Sequence, residues 1–209
     1  MIIKYKENAM NEASILSGFT MSDIQEMIDE NPSLRGFLQG YLAERALKTQ
    51  ILGIPGVTSV TKIQDRDSDK GDFRVVYKGV PLSIESKSIV TSSVKEDVLS
   101  QNWQGTVAVK NTDKREVTVE GVGTIQTTKL YRGQFDILAI CCFAVSGEWD
   151  FVFIENRFIP GAEESNDLLK TKFTVNPSTT PCLTHDLVKL MEKTLEIKAQ
   201  ALQPEALAA

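Results

Sequence analysis

The sequence predicts a single α/β domain with a central mixed β-sheet flanked by α-helices. Three observations carry that expectation. Helical periodicity is confined to the two ends of the chain. The middle follows the two-residue rhythm of strands. No internal repeat or low-complexity linker divides the 209 residues, a length that suits one domain. The expected plan is N-terminal helices over 22–51, a sheet over 57–155, a closing helix at about 184–202 and a frayed tail at 203–209.

Taken in order, Ser22 and Gln25 make a capping-box pattern for a helix over 22–30, which Asn31-Pro32 breaks. Ser33 is the expected cap of a second helix over about 34–51. Its Leu34, Phe37, Leu38, Tyr41, Leu42 and Leu47 form an apolar stripe, and Gly53 and Pro55 end it. Val57–Ile63 reads as a strand, followed by an acidic, polar connector from Gln64 to Gly71. Asp72–Tyr77 and Val80–Ser88 flank Lys78-Gly79, a two-residue hairpin turn. Residues 93–103 are expected as a helix, and Val117–Lys129 as a polar strand or ribbon. Phe135–Val145 and Trp149–Ile154 are expected as central strands around a Ser146-Gly147 turn. Asn176–Pro181 reads as a loop, after which Thr184 caps the final helix with Leu187, Leu190, Met191, Leu195 and Ala201 near one face.

Composition narrows the function classes. A 42% hydrophobic and 24% charged chain is that of a soluble globular protein, and no apolar run approaches the roughly 20 residues a membrane span needs. Met-Ile-Ile-Lys-Tyr-Lys-Glu lacks the layout of a signal peptide, so the expected location is cytoplasmic, with no membrane association. Three cysteines without a CxxC pair argue against a zinc site. One histidine, His185, excludes HNH-type and zinc hydrolases, which need several. The chain has no GxxxxGK[ST], and Gly121-Val-Gly123 lacks the third glycine of a dinucleotide site. Net charge is −5, but residues 61–135 hold 12 Lys+Arg against 10 Asp+Glu, which is +2 and leaves −7 for the rest. A basic middle is what a DNA-facing surface uses, although most charge runs are solvated faces.

The hairpin makes the sharpest expectation. With Lys78-Gly79 as its turn, Tyr77 faces Val80, Val75 faces Leu82 and Phe73 faces Ile84. Pro81 then falls in a non-hydrogen-bonded pair, where its missing N–H costs nothing. Extending the register sets Asp72 opposite Glu85, with Lys87 on the same sheet face. Like charges opposed in a sheet are unfavourable, and a divalent cation supplies a reason for them. Asp72, Glu85 and the Ser86 carbonyl make a hard oxygen site suited to Mg²⁺, with Mn²⁺ as a substitute. Lys87 beside it would orient or deprotonate a water, or stabilise charge developing on a phosphate. The plainer alternative is an exposed charged face with Asp72 as a turn residue. Glu44 lies three residues after Tyr41 on the apolar stripe. A carboxylate there needs a partner, either a metal-bound water with Lys87 or a nearby Lys or Arg.

These residues, Gly40–Glu44 on a helix, Gly71-Asp72 on a strand and Ile84-Glu-Ser-Lys87 on the next, resemble the PD-(D/E)XK nuclease superfamily. Phe135–Ala139 and Trp149–Ile154 resemble its later core strands, so the resemblance runs over roughly residues 34–155. It implies a restriction endonuclease-like core. It also implies Mg²⁺-dependent hydrolysis of double-stranded DNA, as by a type II-like restriction enzyme, often as a homodimer and with a cognate methyltransferase. Carried over, Asp72 and Glu85 are metal ligands, Lys87 the catalytic lysine and Glu44 the helix acid that assists through water. Gly71 stands where the family has proline. The alternatives are a repair or recombination nuclease of the same fold, or a catalytically silent nucleic-acid-binding member. Glycoside hydrolysis by paired carboxylates fits poorly beside a lysine. For DNA contact, Gln126, Thr127, Thr128, Lys129, Tyr131, Arg132 and Gln134 form one set. Gln101, Trp103, Gln104, Lys110, Lys114 and Arg115 form another, and polar exposed loops explain either set equally well.

Overall fold

The computed structural model describes residues 18–63, 71–97, 102–119 and 123–202. Residues 64–70 of the expected connector, Gln101 and the tail 203–209 lie outside the described residues. Two compact units are distinguished, Met1–Gln39 and Gly40–Ala209.

The first unit carries helix α1, Met21–Glu30. Its capping box is built two residues earlier than the sequence pattern suggested. The Thr20 hydroxyl accepts from Asp23 N–H, and the Asp23 carboxylate accepts from Thr20 N–H at 2.7 Å. Helix α2 spans Pro32–Leu52. Pro32 opens it, at the one turn where a missing N–H is harmless, so Ser33 lies inside the helix instead of capping it. The buried row of α2 is Ala43, Leu47 and Ile51, whereas Phe37, Tyr41 and Leu42 of the expected stripe are exposed. Leu47 is shared by the expected stripe and the buried row, which is an i, i+4 series that starts from a small alanine.

The second unit is organised by strands. In chain order they are β1 Val57–Lys62, β2 Phe73–Tyr77, β3 Val80–Ser88, β4 Lys95–Asp97, β5 Asn102–Ala108, β6 Lys110–Val119, β7 Gly123–Lys129, β8 Ile137–Cys141, β9 Phe151–Glu155 and β10 Lys172–Val175. The central sheet runs β1-β2-β3-β8-β9 and is mixed, because β3 and β8 pair in parallel while every other neighbour is antiparallel. One face, with Val75, Ile84, Ile137 and Phe153, packs on Leu47 and Ile51 of α2 and on Leu190 and Met191 of α4, Leu187–Leu202. The other face, with Leu138, Ile140, Val152 and Ile154, packs on Val107 of β5 and on Phe173 and Val175 of β10. The long helices therefore cover one face of the sheet, and a second sheet, β10-β5-β4, covers the other. Every residue of β8 and β9 is buried, the signature of strands sandwiched between two layers.

Four further elements depart from the sequence expectation. The helix expected at 93–103 is absent from the described residues. Thr91–Ser93 make a 3₁₀ turn, and β4 and the start of β5 pair there as strands. Gly105 and Val107 are buried at strand alternation, and a Cβ on Gly105 would come within 2.5 Å of Ile89. Gly105 therefore interrupts the apolar pattern in sequence because Ile89, just after β3, approaches it in space. The region 117–129 is a two-stranded hairpin that begins earlier, at Lys110. The expected strand 135–145 ends at Cys141, and Phe143–Ser146 form one helical turn, α3, closed by Gly147 at φ 74°. Finally, Asp186 caps α4: its Oδ1 accepts Lys189 N–H at 2.9 Å, while Thr184 only braces Asp186 N–H at 3.0 Å. Among the described residues no helix is long and apolar enough to cross a membrane.

Candidate active site

The β2–β3 hairpin holds the register read from the turn. Tyr77 pairs with Val80, Val75 with Leu82, and Phe73 with Ile84, with Pro81 opposite Val76. Lys78 and Gly79 both take positive φ, 48° and 80°, as a type I′ turn requires.

The register does not extend to Asp72. The ladder ends at Phe73–Ile84, and Asp72 N–H donates to the carbonyl of that same Ile84 at 2.9 Å. Gly71 causes this. It sits at φ 88°, and a Cβ there would lie 2.9 Å from the Ile84 carbonyl oxygen. Only glycine brings the chain this close to β3 in that conformation. Asp72 is thereby turned so that its Oδ2 accepts Ser86 N–H at 2.7 Å, in place of a direct pairing with Glu85. Ser86 takes part as a backbone donor. Gly71→Ala is expected to destabilise the protein by about 1–3 kcal/mol, from positive-φ strain and the backbone clash. Urea melts would measure this, and an unchanged midpoint would contradict the close approach.

Glu85 and Lys87 project from β3 beside the buried Leu138 and Ile140 of β8. Glu85 is only 6% exposed. Its carboxylate is ion-paired with the Lys87 ammonium, which also lies 4.0 Å from Asp72 Oδ2. The Glu85 carboxyl is raised to about 7, chiefly by burial and also by Asp72 and Glu44, against the pull of Lys87. Burial also draws Lys87 down, but Glu85, Asp72 and Glu44 outweigh it, so its ammonium is held above the ordinary lysine value.

Glu44 reaches the same neighbourhood from α2. Its partner is Lys62 of β1, whose ammonium also lies 4.9 Å from the Tyr41 ring. Glu44 thus adds its field to Glu85 and Lys87. Among the described residues no group of three or more His, Cys, Asp or Glu side chains is gathered closely enough to hold a metal ion. Asp72 and Glu85 remain as a two-carboxylate pair. Sequence reasoning missed Lys62, although a lysine ending a strand two residues before an acidic connector was the available signal.

The sequence-predicted DNA contacts are placed variously. Arg132 spends its guanidinium on four backbone carbonyls, those of Asn156, Arg157, Ile159 and Asn166. Tyr131 packs against Val119 and Leu168. Lys129 is ion-paired with Glu164, and the Thr127 hydroxyl accepts Lys129 N–H at 3.0 Å. Gln104 lines a cavity of about 240 Å³ together with Phe158, Phe173 and Asn176. Gln126 is exposed on β7.

No family model matches the chain, and no curated protein matches it. Among solved structures, a bacterial homing endonuclease, I-Ssp6803I, aligns with a TM-score of 0.40 and 14% identity, over 80% of this chain and 96% of that one. A likeness that distant fixes neither family nor activity.

Proposed function

We propose that the protein is a metal-dependent DNA endonuclease hydrolysing phosphodiester bonds, a type II-like restriction enzyme built on a restriction endonuclease-like core. The observation that carries this reading is the set Asp72, Glu85 and Lys87 at one edge of the hairpin, with Glu85 buried and the lysine between two carboxylates. Folding alone does not favour a carboxylate whose proton affinity is raised by its own burial.

The donor set fits a magnesium ion, which takes one or two carboxylates and keeps its waters. Asp72 and Glu85 would hold it, with Mn²⁺ as a substitute. Bound there, the ion supplies Lewis-acid polarisation of a phosphate and a more acidic water. In the metal-free protein Glu85 and Asp72 hold the Lys87 ammonium protonated, so Nζ would set positive charge against a phosphate oxygen. Ser86 N–H orients the Asp72 carboxylate, and the Glu44–Lys62 pair borders the site.

The test is incubation of mixed-sequence duplex DNA with Mg²⁺, comparing wild type with Asp72→Ala and with wild type in EDTA. Discrete fragments lost in both controls are the expected result. Equal cutting by Asp72→Ala would remove the site assignment. Cutting of branched or nicked DNA alone would move the reading to a repair nuclease. Independently of activity, Mg²⁺ is expected to raise the melting temperature of wild type but not of Asp72→Ala.

A further inference from the structure

We propose that the β6–β7 ribbon reads base edges in the major groove of duplex DNA through its outward row, Glu116, Thr118, Thr124 and Gln126. The inference rests on the DNA-cutting reading above and adds how a target would be chosen. The ribbon is a two-stranded sheet of its own, and its two faces differ. Val117, Val119 and Ile125 cluster on the inner face with Ala162, Leu168 and Tyr131. The outer row is exposed at all four positions.

That row is arranged as two rungs. Glu116 pairs with Gln126 and Thr118 with Thr124. Gln126 Nε2 donates to Glu116 Oε2 at 3.3 Å, and the threonine hydroxyls are 3.0 Å apart. A two-stranded ribbon fits the major groove. Glutamine matches the N6 and N7 edge of adenine, glutamate accepts from cytosine N4, and the threonine methyl meets the thymine methyl. Rungs two residues apart are separated by about 7 Å along a strand. That is about two base steps of 3.4 Å, so each rung addresses a different base pair.

Charge agrees with this occupant. β6 and β7 carry Lys110, Lys114, Arg115 and Lys129 against Asp113 and Glu116, four cations to two acids, in a chain of net charge −5. Lys110 and Lys114 are exposed and available to phosphates. The base of the ribbon is fixed: Arg132, three residues beyond β7, is tied to the carbonyls of Asn156 and Arg157 just after β9. Strand β8 follows at Ile137 and pairs with β3 beside Glu85.

The experiment uses the full chain in EDTA, mixed with randomised duplexes, and sequences the DNA that is retained. Wild type is expected to enrich one motif. Gln126→Ala and Thr118→Ala each lose about tenfold to a hundredfold of discrimination at one position. Glu116→Gln moves the preference at its position from cytosine toward adenine. Lys114→Ala weakens all sequences alike and lowers the salt slope by about 1. These side chains are exposed, so melting temperatures stay at the wild-type value. An unchanged motif in the Gln126, Thr118 and Glu116 variants overturns the proposal, as does duplex binding by wild type without any motif. If wild type cuts DNA, Asp72→Ala does not, and the ribbon variants keep the motif, this inference falls and the nuclease reading stands. If wild type neither binds nor cuts duplex DNA, both fall.

Discussion

Lys87→Met is expected to reduce DNA cutting by at least about 10²–10³-fold, the usual cost of removing one electrostatic stabiliser of a developing charge. The larger part of the argument concerns what the lysine leaves behind. Its ammonium is ion-paired with Glu85 and lies 4.0 Å from Asp72 Oδ2. Without it, burial and the two neighbouring carboxylates act on Glu85 unopposed, and its carboxyl moves up from about 7. At pH 7 the site would then hold a neutral acid where a cation needs a carboxylate. Lys87→Arg keeps the charge but not its position, because a planar guanidinium cannot take the place of a compact ammonium. The measurement is single-turnover cleavage across pH. Lys87→Met is expected to recover part of its activity at higher pH, where Glu85 is again ionised. Cutting within threefold of wild type at pH 7 would dismiss Lys87 from the chemistry.

The metal-free protein is expected to lose about 3 kcal/mol of stability between pH 4.5 and 8 on account of Glu85. The sign follows from proton binding. The Glu85 carboxyl lies at about 7 in the folded state, against an ordinary 4.5. Between those values the native state holds a proton that the unfolded chain has released, so stability falls as pH rises. The contribution is fully present below about 4.5 and is gone once the pH has passed through about 7. The span from 4.5 to about 7, at about 1.36 kcal/mol per pH unit, gives the magnitude. Urea midpoints at pH 5, 6, 7 and 8 measure it. Glu85→Gln should flatten the profile over that range. Saturating Mg²⁺ should flatten it for wild type, since an added cation neutralises the ionised carboxylate. A wild-type profile already flat without metal would contradict the burial of an ionisable Glu85.

What was legible in the sequence was local. Lys78-Gly79 and Pro81 set the hairpin register because a two-residue turn and a missing donor constrain neighbours along the chain. The buried runs of β8 and β9 were visible as apolar, β-branched and aromatic stretches. The failures are long-range or conformational. Asp72 was extrapolated along the ladder, but Gly71 at φ 88° brings the backbone against Ile84 and ends the pairing one residue early. No periodicity announces that. Within the expected helix, Lys95–Asp97 pairs as a strand with 102–104, and β5 runs on to pair with β10, some seventy residues later, with Ile89 pressed onto Gly105. The apolar stripe of α2 holds at Leu47, which is buried, and fails at Phe37, Tyr41 and Leu42, which are exposed, while Ala43 and Ile51 complete the buried row. For the candidate site, residue types and their sheet face were readable. The Ser86 N–H and Lys62 were not, since each depends on where two separate segments meet.

The parallel pairing of β3 with β8 bears on the order of assembly. The β2–β3 hairpin closes over a two-residue turn, but Glu85 meets Leu138 only across 53 residues of chain. Local hairpins form in microseconds, while pairing over such a separation is the slow kind of event. The segments carrying Asp72, Glu85 and Lys87 thus come together early and while still hydrated. Their water is stripped away only when β8 docks. The cost of dehydrating Glu85 is then charged to the late step of folding, so alkaline pH should slow refolding of the metal-free chain.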